Sequence, residues 1–88
     1  MKIYESILNK YGMEHQTRKA MEEMSELIQA LNKMIDLPTE SHRQAVIEEM
    51  ADVEITIEQM RIGWKISRSE LSDARIRKIN RMRKHLQE

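Results

Sequence analysis

A chain of 88 residues with one proline and two glycines holds almost nothing that stops a helix. Proline removes a backbone donor and clashes with the preceding turn, and glycine is costly in a helix interior, so these residues mark where helices end. Gly12 follows an amphipathic stretch from Ile3 to Tyr11 and predicts the end of a first helix. A second is expected from about Met13 to Ile35, closed by the turn Asp36-Leu37-Pro38-Thr39. Ser41 is the expected cap of a third, reaching about Ile66; a polar break over Ser67 to Ser69 precedes a fourth, from about Ser69 to Leu86. Abundant Met, Glu, Lys, Arg and Ile agree with this reading. The expected fold is all-α, a helical bundle of about four helices in one domain spanning residues 1–88.

A chain this short buries a modest core and draws on disulfides, a metal or partner subunits. There is no cysteine, which closes off disulfides and thiolate metal sites and leaves a hard cation or oligomerisation. The third segment points to oligomerisation. Val46, Met50, Val53, Ile57, Met60 and Trp64 form an apolar seam, while Ile47, Ile55, Ile62 and Ile66 lie on other sides of the same helix. A helix apolar on more than one side needs several neighbours. The bundle is therefore expected to be completed by other copies of the chain, as a homodimer or homotetramer. The opening residues carry no apolar run of signal-peptide length and nothing later approaches a membrane span, so a soluble, cytoplasmic protein is expected.

Two segments, twenty-six positions apart, repeat one pattern. Met21-Glu22-Glu23-Met24-Ser25-Glu26-Leu27 and Ile47-Glu48-Glu49-Met50-Ala51-Asp52-Val53 both read apolar, Glu, Glu, Met, small, acidic, apolar. In each, the second Glu and the final acid are three apart and share one helix surface. If the two helices lie antiparallel, Glu23, Glu26, Glu49 and Asp52 can converge. The plain alternative is solvated glutamates, but a solvated helix surface mixes signs at i, i+4 spacing. Between Ala20 and Asn32 there are three acids and no Lys or Arg; between Gln44 and Met60 there are five acids and again no base. Converging carboxylates without sulfur suit a hard divalent ion such as Mg²⁺ or Mn²⁺.

The positive charge sits at the other end. Eight Lys or Arg residues lie between Lys65 and Lys84, against Glu70 and Asp73. Alone, this run fits a solvated basic helix or a nucleic-acid surface, although zero net charge argues against a general polyanion binder. Beside a metal site, such groups can neutralise phosphate. His15, His42 and His85 are scattered without ligand spacing and read as surface residues; the eight methionines read as adaptable core filler. There is no Gly-rich phosphate loop.

Glu22-Glu23-Met24-Ser25-Glu26 followed by Glu49-Met50-Ala51-Asp52 resembles the EExxE…ExxD signature of the MazG-like all-α nucleoside triphosphate pyrophosphohydrolase superfamily. Tyr11-Gly12 with Gln16, the run Glu48 to Glu54, and Asn80 with Arg83 in an N-x-x-R pattern are similar to its short phage and bacterial members, so the resemblance spans nearly the whole chain. It implies a MazG-like bundle in which Glu23, Glu26, Glu49 and Asp52 bind Mg²⁺ and Glu22 assists, as a further ligand or by orienting water. It implies attack of water on the α-phosphorus with pyrophosphate leaving. It also implies Asn80 and Arg83, with Arg75 or Lys78, as phosphate or sugar contacts, and Gln16 as a base or sugar contact. Three alternatives stand beside it. One is phosphoribosyl-ATP pyrophosphohydrolase of the same superfamily, another is a non-catalytic helical module binding nucleotide or nucleic acid, and the third is a simple coiled-coil oligomerisation domain, against which the unpaired acids near the seam argue.

Overall fold

The computed structural model describes residues 2–87, and every regular element among them is a helix: α1 (Lys2–Asp36), α2 (Glu40–Gly63) and α3 (Arg68–Gln87). The all-α expectation holds, with three helices rather than about four. Gly12 does leave helical geometry, at φ 84° and ψ 163°, a conformation open to glycine because it has no Cβ. The helix resumes at once, so the break is a kink within α1.

Leu37 to Thr39 turn the chain back on itself. Thr39, not Ser41, caps α2: its hydroxyl accepts the His42 N–H at 3.1 Å. Helix α2 stops at Gly63, earlier than expected, and Trp64 closes its last turn with an N–H to the Met60 carbonyl. Ser67 and Glu70 form a reciprocal cap on α3. The Ser67 hydroxyl accepts the Glu70 N–H at 3.0 Å, and the Glu70 carboxylate accepts the Ser67 N–H at 2.7 Å. Those bonds hold the Glu70 carboxyl below the usual carboxylate range.

Helices α1 and α2 pack as an antiparallel hairpin, with Met13 against Gly63 and Gln16 bonded to Gln59 near its open end. One row of buried and half-buried positions runs in steps of three and four. On α1 it is Met13, Gln16, Ala20, Glu23, Leu27, Ala30 and Met34; on α2 it is Val46, Glu49, Val53, Thr56, Met60 and Gly63. This corrects the expected α2 seam. Val46, Val53 and Met60 keep their places, but Glu49, Thr56 and Gly63 face α1 where Met50, Ile57 and Trp64 were expected. The seam is small and polar at its centre, and an apolar count misses such a stripe.

One position further on, each helix carries a second apolar row. On α1 it is Met21, Met24, Ile28, Leu31 and Ile35; on α2 it is Ile47, Met50, Ile57 and Trp64, and all of these are exposed. In an antiparallel pair, both rows rotate to the same side of the hairpin, and Met21 and Trp64 line one hollow there. Positions one residue before the seam rotate to the opposite side; they include His15, Lys19, Glu22, Glu26, Asp52, Ile55 and Gln59. The hairpin thus has one largely apolar and one largely polar face. Helix α3 has no buried residue and stands nearly free of the other two. The chain exposes 7168 Å², whereas size scaling gives about 5,400 Å² for a compact chain of 10.5 kDa.

Candidate metal centre and cleft

The repeated acidic pattern meets on the polar face. Glu23 lies in the α1 seam, Glu49 in the α2 seam, and Asp52 one turn beyond Glu49, where an antiparallel partner brings them level. Each offers a carboxylate oxygen, and the three oxygens lie within 4.8 Å of one another. Glu23 is 7% exposed. Its Oε2 and the Oε2 of Glu49 are buried without a hydrogen-bond partner. A buried carboxylate oxygen normally finds a donor, because leaving it dry and unpaired is costly. Two such oxygens beside a third carboxylate fit a hard divalent cation in both charge and donor type.

Glu26 is not one of these three, but it feels them. The Glu23 charge, then burial, then the Glu49 and Glu22 charges hold its carboxyl above the usual range. A raised folded-state pKa favours the protonated form, so this stabilisation is present at low pH and lost as pH rises through that pKa. In metal-free protein, Glu26→Gln is therefore expected to melt above the native chain at about pH 7.5, with the gap closing towards pH 4. Thermal melts in EDTA across that interval check this, and a gap that does not change with pH would sink it.

Among the described residues, Lys19 is the one cation at the cluster: its Nζ lies 3.3 Å from Glu23 Oε1. The bond to Glu23, then the Glu22 and Glu23 charges, raise its pKa, so it stays cationic. Glu22 itself is exposed on this side.

A cleft of about 300 Å³ runs from the acids along the polar face. Glu23 and Asp52 line one end and Lys19 the middle. Gln16, Gln59, His15 and Tyr11 line the rest, with Ile7, Ile55 and Thr56. Gln16 is 6% exposed and Gln59 5%, and the Gln16 amide donates to Gln59 Oε1 at 2.9 Å. His15 Nδ1 is 2.9 Å from Gln16 Oε1, and its ring stacks on Tyr11 with centroids 5.0 Å apart. The cleft therefore offers, in order, an aromatic pair, two linked amides, a cation and two carboxylates, Glu23 and Asp52.

Of the expected site residues, Gln16, Glu23, Glu49 and Asp52 come together, with Glu26 electrostatically coupled to them. Arg75, Lys78, Asn80 and Arg83 do not line this cleft; they lie on α3. Arg75 borders a separate hollow with Glu58, Arg61 and Arg68, and Asn80 accepts a long bond from Arg83 at 3.4 Å. Lys19, Gln59, Tyr11 and Thr56 do not stand out as site residues in the sequence. Their signal is position: Gln16 and Gln59 sit at or beside the seam, two polar side chains where apolar ones are the rule.

Among the described residues, no helix is long and apolar enough to cross a membrane. Comparison with protein-family models, curated proteins and solved structures gives no significant match.

Proposed function

We propose that this chain is a Mg²⁺-dependent nucleoside triphosphate pyrophosphohydrolase of MazG-like type, with Mn²⁺ as a substitute. It would convert (d)NTP and water to (d)NMP and pyrophosphate in the cytoplasm. The observation that carries this reading is the meeting of Glu23, Glu49 and Asp52, with two buried unpartnered oxygens, at the end of a cleft suited to a ring and a phosphate. Glu23, Glu49 and Asp52 would hold the cation, with Glu26 completing the oxygen shell. When bound, the cation would lower the pKa of the attacking water and offset charge on the phosphates.

The protein's own groups do the rest. Glu22, beside the cluster and open to solvent, orients the attacking water or takes its proton. Gln16 and Gln59 present amide groups to the base or sugar, and the Tyr11–His15 pair gives a ring surface against which a base can lie. Arg75, Lys78, Asn80 and Arg83 reach phosphate only if α3 folds over the cleft or comes from a second copy. Self-association is part of this reading: the apolar face, opposite the cleft, would pair with the same face of another chain, as homodimer or homotetramer.

A chromatographic assay against the common ribo- and deoxyribonucleoside triphosphates tests the reading. Monophosphate and pyrophosphate are expected with Mg²⁺, not with EDTA, and Glu23→Gln is expected to lose roughly a hundredfold or more of the rate. A folded protein that cuts none of them overturns the general triphosphatase reading. Phosphoribosyl-ATP is then the next substrate to try. The exposed basic α3 favours one other role, binding of nucleotide or nucleic acid without hydrolysis; salt-sensitive duplex binding unaffected by Glu23→Gln would select it.

A further inference from the structure

We propose that Lys19 is the cation that receives the substrate's phosphate in this cleft, and that it rests on Glu23 until a phosphate arrives. The proposal deepens the reading of the cleft as a triphosphate site and rests on it. Among the described residues, Lys19 is the one Lys or Arg lining the cleft.

Its place along α1 suits the role. Residues 15, 19 and 23 are successive turns on nearly one line, each about 6 Å apart in helix rise. Lys19 therefore leaves α1 between the ring-and-amide end and the carboxylate end, with its ammonium resting at the carboxylate end. A phosphate joining a base at one end to a cation at the other falls within its reach.

The contact with Glu23 does not explain Lys19 as mere helix support. Glu–Lys pairs at i, i+4 stabilise a helix best when the Glu comes first, and here Lys19 precedes Glu23. The two partners also differ in freedom. The Lys19 side chain is 47% exposed and that of Glu23 10%, so a flexible ammonium rests on a fixed carboxylate. Moving from a carboxylate oxygen to a phosphate oxygen leaves Lys19 with an ion pair of the same kind. The Glu23 oxygen it leaves is then free to face the divalent cation.

Calorimetric titration with two probes tests this: Mn²⁺ alone, and a non-hydrolysable α,β-methylene deoxynucleoside triphosphate in Mn²⁺. Lys19→Met is expected to bind the analogue about tenfold more weakly, since a charged hydrogen bond is lost. Lys19→Arg is expected to restore most of that affinity, and Mn²⁺ alone is expected to bind Lys19→Met at least as tightly as the native protein. Two results overturn the proposal: unchanged analogue binding by Lys19→Met, or an equal loss of Mn²⁺ and analogue, which would make Lys19 a support for Glu23. If the native protein takes up no Mn²⁺ yet binds the analogue in EDTA through Lys19, the metal reading falls and the proposal stands. If the analogue binds under neither condition, both fall.

Discussion

Mg²⁺ or Mn²⁺ at a hundred times its dissociation constant is expected to raise the melting temperature of the native chain by roughly 10–20 °C. Ligand at that excess adds about 2.7 kcal/mol to a folded state that alone binds it. In a domain of this size, each kcal/mol moves the midpoint by about 4–8 °C. The sharper part of the prediction concerns Glu49→Gln. Without metal, the native protein keeps an unpartnered carboxylate oxygen of Glu49 buried beside Glu23 and Asp52. A neutral amide of the same shape removes a like charge and gains a donor, so metal-free Glu49→Gln should melt above the native chain. With metal the order should reverse, because the variant has lost a ligand. Melts at one protein concentration, with EDTA and with metal, read both orders. A native midpoint that ignores divalent ions, in a protein that Glu49→Gln leaves unchanged, would end the metal reading.

That crossover depends on acids whose meeting is legible in the sequence itself. Two copies of one seven-residue pattern, each with its acids three apart, need only an antiparallel turn to bring Glu23 level with Glu49 and Asp52. Pro38 supplies the place for that turn. Gly12 is legible as a break for a related reason, although a kink and an end look alike in sequence. The rest is hidden by chemistry rather than by distance. Glu49 and Thr56 occupy seam positions that apolar periodicity assigns to Met50 and Ile57, because an apolar row on the outer face competes for the same period. Lys19 reads as a solvated lysine until Glu23 is seen to be buried beneath it. Whether α3 meets the cleft is not written in its sequence either, since a basic helix with a short apolar stripe is compatible with several partners.

The outer row that competes with the seam also gives the second large effect. Ile28 lies at the centre of the α1 stripe, between Met24 and Leu31, and is 60% exposed. If the chain worked alone, Ile28→Asp would be a surface change within about 0.5 kcal/mol of neutral. The exposed area argues otherwise. Nine large apolar side chains lie on one face of a two-helix hairpin whose fully buried apolar residues are Ala20 and Ala30, among those described. A hairpin that buries so little apolar surface is expected to need cover, and a second copy is the cover proposed above. In a twofold assembly each chain presents the same patch, so one substitution places two aspartates in one interface. Burying an unpaired carboxylate there costs several kcal/mol per ion. Ile28→Asp is therefore expected to abolish self-association and to lose much of its helical signal, because the hairpin loses its cover with its partner. Sedimentation velocity and far-UV circular dichroism at matched concentration measure the two losses together. The acidic cleft is on the opposite face, so, on the proposed reading, divalent-ion binding by Ile28→Asp should fall only in step with the folded fraction. A native chain that sediments as a monomer, beside an Ile28→Asp variant that melts at the same temperature, would show that the apolar face needs no second copy.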